Sequence, residues 1–223
     1  MWGRTVLLSA AFLAVGMNAK AQEQNLLPKY GASPKSAELK AADKVFIDGM
    51  DHDYHGDLKK ASSDMALRGW QYLKSGDPDD AMRRFNQAWL LNNRNGTALW
   101  GMAAVESDRG ETDESLKLFK EAEPFVGEDL NFEIDYSRSI AVAANANKDS
   151  ALLNDAYKRF RKIYDKAPQN GRNLKNWAVA LFNDEKYSET WAKVKLAEAT
   201  PNKGSLDPQF IAALQAKMPR PSN

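Results

Sequence analysis

The chain has two histidines, and they stand together. His52 and His55 lie among Asp48, Asp51, Asp53 and Asp57. Imidazole and carboxylate side chains suit zinc or a similar divalent ion. On a helix, two residues three apart share a face, so the pair defines a candidate metal-binding module. The same run also reads as a solvated loop joining two helices, with Asp57 as the N-cap of the second. The loop reading is preferred: no metal ligand set is assigned and no cofactor is expected. Carboxylate chemistry is the other option, in the form of an enzyme acting on envelope glycans, which needs two opposed carboxylates. No pair of acidic residues stands out in the sequence. There is no G-x-S-x-G or H-E-x-x-H motif, no phosphate-cradling glycine loop and no cysteine nucleophile. The sequence therefore names no catalytic residue, and the chain is read as non-catalytic.

The elements around these residues follow a spacing. Ala81-x3-Phe85, Ser115-x3-Phe119, Ala156-x3-Phe160 and Thr190-x3-Val194 each set a small residue four places before a large apolar one. The first step is 34 residues (115 − 81), the last is 34 (190 − 156), and the middle one is 41 (156 − 115). A fixed period of that length marks stacked helix–turn–helix units. Four windows follow: Ser62–Asn95, Gly96–Asp129, Ser137–Asn170 and Gly171–Gly204. Residues 62–129 hold the first pair of repeats and 137–204 the second. Between them lies a seven-residue insertion, Leu130–Tyr136, which alternates apolar and polar residues. A lone strand has no pairing partner in a helical stack, so an elongated first helix of the third repeat, from about Asp129, is expected.

Before the repeats, residues 22–35 carry Pro28, Gly31 and Pro34 and read as an extended linker or arm. Residues 36–61 give an N-terminal helix, Ser36 to about Met50, interrupted by Gly49 and the Asp51–Gly56 stretch. After the repeats, residues 205–223 form a capping helix and tail. Asp207 supplies the N-cap, Pro208 sits at the first helical position, and Phe210, Ile211 and Leu214 form one apolar stripe. The fold class is thus an all-α stack of helical hairpins with a helix at each end.

The windows resemble the tetratricopeptide repeat, whose signature is W-x2-L-G-x2-Y, then A-x3-F, then P. The first window matches best, with Gly69-x2-Tyr72, Ala81-x3-Phe85 and Ala88, and departs at Arg68 and Asn93. The second keeps Leu99, Ala103 and Ala122 but has Glu106 in the Tyr slot. The third keeps Ile140, Ala144 and Pro168, and the fourth Leu174, Ala178, Leu181 and Ala197. Small residues at three positions let the helices approach, and large ones fill the space around them.

The resemblance implies a protein or peptide partner held on a concave groove lined by first-helix positions 2, 5, 9 and 12. These are Ser63, Ala66, Trp70 and Leu73; Thr97, Trp100, Ala104 and Ser107; Arg138, Ala141, Asn145 and Lys148; and Arg172, Lys175, Val179 and Phe182. The partner-binding candidates are Trp70, Leu73, Trp100, Asn145, Arg172, Lys175 and Phe182: an aromatic floor and a basic wall. An alternative makes Trp70 and Trp100 core, packed under the N-terminal helix. Some members of the family grip a terminal carboxylate with Lys, Asn and Arg. Here Asn145 and Asn176 match two elements, but Ala141 replaces the Lys, so no such clamp is expected.

Export is the remaining expectation. Arg4, the apolar run Thr5–Met17 and Ala19-Lys20-Ala21 have the three parts of a signal peptide over residues 1–21, too short to span a bilayer. Cleavage leaves 29 basic residues (31 − 2) against 30 acidic ones. That balance offers nucleic acid or an anionic membrane no electrostatic attraction. With no cysteine, disulfides and thiol chemistry are excluded. A periplasmic or secreted adaptor or assembly scaffold of the cell envelope is the function expected, without stable membrane insertion once the leader is gone.

Overall fold

The computed structural model describes residues 23–201 and 206–221. The leader expected over residues 1–21 lies outside them. Ten α-helices follow one another, with no strand among the described residues. They are α1 (Ala37–Asp53), α2 (Leu58–Lys74), α3 (Pro78–Leu91), α4 (Gly96–Arg109), α5 (Thr112–Val126), α6 (Leu130–Asn147), α7 (Ser150–Lys166), α8 (Gly171–Asn183), α9 (Tyr187–Glu198) and α10 (Pro208–Lys217). Short polar residues start most of them. Ser36, Asp57, Asp77, Asp129, Asp149, Asn170 and Asp207 each accept a hydrogen bond from a backbone N–H of the first turn, which satisfies a donor the helix itself leaves open. Asp57 and Asp207 thus cap as the sequence predicts.

The chain divides into two compact units. The first runs to Arg109 and includes Leu118–Val126; the second holds Gly110–Lys117 and everything from Gly127. In the first, α2 and α3 close around Phe85, which is fully buried. A methyl group on Gly69 would sit 2.5 Å from the Phe85 ring, and one on Gly101 would sit 2.2 Å from it. The ring therefore lies between two backbones that only glycine allows so near. Trp70 meets it edge-on at 5.6 Å. Gly101→Ala tests this arrangement. Alanine favours a helix over glycine by about 1 kcal/mol, but overpacking a full core costs about 1–3 kcal/mol. Because Gly69 blocks the ring's retreat, net destabilisation is expected, read as a lower urea midpoint at unchanged slope.

Helix α1 lays Phe46, Ile47 and Met50 on a buried cluster that includes Met65, Ala66, Ala88 and Leu91. It runs through Gly49 to Asp53, past the point where Gly49 and Asp51 were expected to interrupt it. Gly49 has open space around it, so it costs the helix only propensity, about 1 kcal/mol. The helix stops instead where His55 and Gly56 turn left-handed, at φ 52° and 88°.

Residues 23–35 are not the extended linker expected. Lys29, Tyr30, Gly31 and Ala32 all have positive φ, between 49° and 68°, and form a tight left-handed turn docked on the first unit. Asn86, fully buried in α3, donates its amide to the carbonyls of Asn25 and Leu27 at 3.0 and 2.9 Å. Arg109 donates to the Leu26 carbonyl at 2.7 Å, and Lys29 pairs with Glu121 at 2.7 Å. Tyr30 is buried beneath Lys35, whose ammonium lies 3.4 Å from the ring centre.

In the second unit, α6 pairs with α7 and α8 with α9. The insertion Leu130–Tyr136 forms the opening turns of α6, as expected. Phe132, Ile134 and Tyr136 are all buried. At 100° per residue they point to more than one side of the helix, so the alternation reflects burial on several sides and not a strand. Asp129 caps the helix with bonds from Asn131 N and Phe132 N at 2.7 and 3.1 Å. At the far end, α10 packs Leu214, Phe210 and Ile211 on Ala178, Trp191 and Val194. The Trp191 indole donates to the Met218 carbonyl at 3.1 Å.

Candidate functional site

The candidate site lies in the second unit, between the first helices of its two hairpins. Arg172, in the first turn of α8, bonds Asn131 and Asp135 in the first two turns of α6, so the two helices begin side by side. From α6 come Asp135, Arg138, Ala141, Val142 and Asn145; from α8 come Arg172, Lys175, Asn176, Val179 and Asn183. Both sets recur every three to four residues, which is one face of a helix. Together they line an open groove of about 520 Å³.

The groove is graded along its length. Arg138, Arg172 and Lys175 gather toward the N-terminal ends of the lining faces. Val142 and Val179 lie midway, and Asn145 and Asn183 at the other end. Arg172 is held in place: its guanidinium donates to the Asn131 carbonyl at 3.1 Å and pairs with Asp135 at 3.1 Å. Val142 keeps 39% of its surface exposed, so the middle of the groove offers apolar surface to a ligand. Behind the floor, the Tyr157 hydroxyl donates to Asp184 at 3.0 Å and fixes α7 against the end of α8. Burial, and then the bond to Asp184, raises its pKa well above the ordinary tyrosine value, keeping it a donor.

In the first unit, Trp70 and Trp100 meet edge-on, with ring centres 4.8 Å apart. The Trp70 indole donates to the Thr97 carbonyl at 3.3 Å. Both rings are half-buried, as is Leu73. Helix α1 buries Phe46, Ile47 and Met50 on the Met65–Leu91 cluster.

No protein-family model matches the sequence, and no curated relative does. Solved structures do match. A thermophilic TPR protein of Thermus thermophilus superposes with a TM-score of 0.60 at 17% identity, over 71% of this chain and 84% of that one. A MamA RS-1 double mutant matches with a TM-score of 0.51 at 14% identity, over 73% and 93%.

The fold is tetratricopeptide-like.

In this tetratricopeptide-like frame, Arg138, Ala141, Asn145, Arg172, Lys175 and Val179 come together as the predicted groove positions of the last two repeats. Two others do not join them. Lys148 is the C-cap of α6, left-handed at φ 53°. Phe182 turns away to pack on Tyr187 and Phe210, with ring centres 5.7 and 5.5 Å apart, so α10 uses it as core. Ala66, a predicted groove position of the first repeat, is fully buried in the cluster beneath α1. The predicted stripe did not include Asp135, three positions before Arg138, or Val142, Asn176, Ala180 and Asn183, each one position beside a predicted residue. A wider stripe on each helix would have found them. The histidines do not converge on a metal. His52 is in the last turn of α1 and His55 lies beyond it, and both are exposed. Among the described residues, no three His, Asp or Glu side chains are placed to hold an ion. The α6–α8 groove contains one carboxylate, Asp135, and so lacks the opposed pair that glycan hydrolysis requires. Among the described residues, no helix is long and apolar enough to cross a membrane.

Proposed function

We propose that this chain is an exported, non-catalytic adaptor or assembly scaffold of the cell envelope, and that it holds a protein partner in the α6–α8 groove. The observation that carries the reading is the groove itself: a helical-repeat face with fixed cations, exposed valine and carboxamides, and one carboxylate already committed to Arg172. Stacked repeats of this kind use such faces to bind partners, and aromatic or apolar anchors flanked by charge are a common form of peptide recognition. The three-part leader at residues 1–21 supports export.

The test is crosslinking capture from the envelope with the chain carrying Arg138→Glu, Arg172→Glu and Lys175→Glu together. Recovery of the crosslinked partner is expected to fall by about tenfold or more, as reversing charges in an interface does. Undiminished recovery would overturn the groove reading. These positions make a cleaner test than Trp70 and Trp100, because Trp70 also packs on Phe85 and its loss would disturb the core. Export is checked on the same material. Mass measurement of the envelope form is expected to give a chain beginning at Gln22, and a cytosolic chain that keeps residues 1–21 would count against it.

A further inference from the structure

We infer that the cavity between the arm (residues 23–35), α1 and α3 in the first unit binds a small carboxylic acid with a short apolar body, its carboxylate taken by Arg84 and Tyr30. The site belongs to the other unit from the α6–α8 groove and stands whether or not that groove holds a partner.

Size and walls come first. The cavity measures about 240 Å³. The arm contributes Tyr30 and Lys35 to its lining. Leu39, Ala42 and Phe46 of α1 recur every three to four residues, and Arg84, Gln87 and Leu90 of α3 every three, so each helix turns one face to the cavity. An apolar cavity of about 150 Å³ holds a benzene, so this one has room for a ring or a chain of about five carbons with a carboxylate attached. The side chains of Leu39, Ala42, Phe46 and Leu90 carry no polar atom, and a water against them would lack the partners it needs. An apolar body fits that wall better than solvent does.

Charge selects the head group. Lys35 and Asp43 pair with each other, and Arg83 pairs with Asp80 at 2.6 Å. Arg84 pairs with no carboxylate among the described residues. One of its N–H groups goes to Gln87 Oε1 at 2.9 Å, and the guanidinium lies 5.7 Å from the Tyr72 ring centre. These contacts hold the group in position, leave its charge unneutralised and leave donors to spare. A monoanion matches that charge, and a planar carboxylate fits the guanidinium fork.

Tyr30 adds the second contact. It is 8% exposed and lines the cavity, yet its hydroxyl bonds to no other group among the described residues. The oxygen is not sealed in, as the unpartnered Oδ1 atoms of Asn86 and Asn173 are, so it reaches open space. Burial, and then the charge of Asp43, raises the phenol pKa well above its ordinary value, which keeps it an O–H donor that a carboxylate can accept from. The turn that places it is strained: Lys29, Tyr30 and Ala32 are left-handed at φ 51°, 58° and 49°. Such backbone persists where its surroundings fix it, and it gathers at ligand clamps.

The test uses the purified chain with methyl-labelled leucine and alanine, followed by NMR through Leu39, Ala42 and Leu90. The probes are isocaproate and phenylacetate. The comparison ligands are their primary amides, which keep the shape without the charge, leucine, which adds an ammonium, and inorganic phosphate. At least one acid is expected to shift these methyl groups and to bind about tenfold or more tighter than its amide. Arg84→Gln should weaken the acid by about tenfold and leave the amide within about twofold, a split that general loss of structure would not give. Tyr30→Phe, which keeps the ring under Lys35, should weaken the acid by about fivefold. Should one substitution unfold the chain, the other carries the test. No methyl shift with either acid, equal binding of acid and amide, tighter binding of leucine or phosphate, or unchanged acid affinity in either folded variant would each overturn the inference.

Discussion

Replacing Phe85 with alanine is expected to remove about 3–5 kcal/mol of stability, the range for emptying a buried aromatic site. The upper part of that range applies here. A cavity relieves itself when neighbouring side chains fall inward, but two walls of this one are the backbones at Gly69 and Gly101. Neither has a side chain to move. Trp70 also loses the ring it meets edge-on, a contact worth about 0.5–1.5 kcal/mol beyond area. A domain has about 5–15 kcal/mol in total, so this single change takes a large part of it. Urea unfolding should show the midpoint falling steeply at constant slope. A loss below about 1 kcal/mol would mean that Phe85 is not the centre of the first unit. Phe85→Leu, which keeps much of the volume, should recover more than half of the loss.

Trp191→Ala is expected to cost about 3–5 kcal/mol in the second unit, and to do so in a recognisable place. Trp191 is 4% exposed. It is both floor and clamp for α10, packing under Leu214 and donating its indole N–H to the Met218 carbonyl. Arg220 stacks over the same ring, 5.2 Å from its centre. Alanine removes all three contacts, so α10 should detach before α8 and α9 unfold. Hydrogen exchange is the measurement. Amides of α10 should exchange far faster than those of α8, and the shared face around Phe182 should gain apolar dye binding. Uniform loss of protection across α8, α9 and α10 would show that α10 does not act as a separable cover.

Much of the fold was legible because the residues that build it are close in sequence. A small residue four places before a large one, repeated at a fixed interval, writes helix contact into a local pattern, and the turns and N-caps sit beside it. The extended α6 was legible by elimination, since its alternating stretch had no strand to pair with. What escaped was held from a distance. The arm is anchored by Asn86, about sixty residues downstream (86 − 25), and no local signal ties a buried asparagine to a carbonyl in that arm. Gly101 was not singled out, although it matters as much as Gly69, because its importance depends on a ring contributed by another helix. The groove was partly visible for the same reasons. Arg138, Asn145, Arg172 and Lys175 follow from the groove positions that the tetratricopeptide resemblance implies. Phe182 occupies one of the same positions, yet it packs on Phe210 of α10, and the resemblance does not say which face a terminal helix will occupy. His52 and His55 were neighbours in sequence only. The helix ends between them, and the shared face they would have had is lost.

The docked arm has a consequence for where the chain tolerates being cut. Asn86 spends its amide on the carbonyls of Asn25 and Leu27 while its own oxygen has no partner. The grip therefore begins four residues after Ala21. A peptidase that cuts after Ala21 leaves the gripped carbonyls in place. One that trims past Leu27 strips them away and leaves a carboxamide sealed inside α3 with nothing to bond. Residues Asn25–Leu27 are thus a keystone of the first unit, and tags or fusions that replace them would be grafted onto the wall of the core.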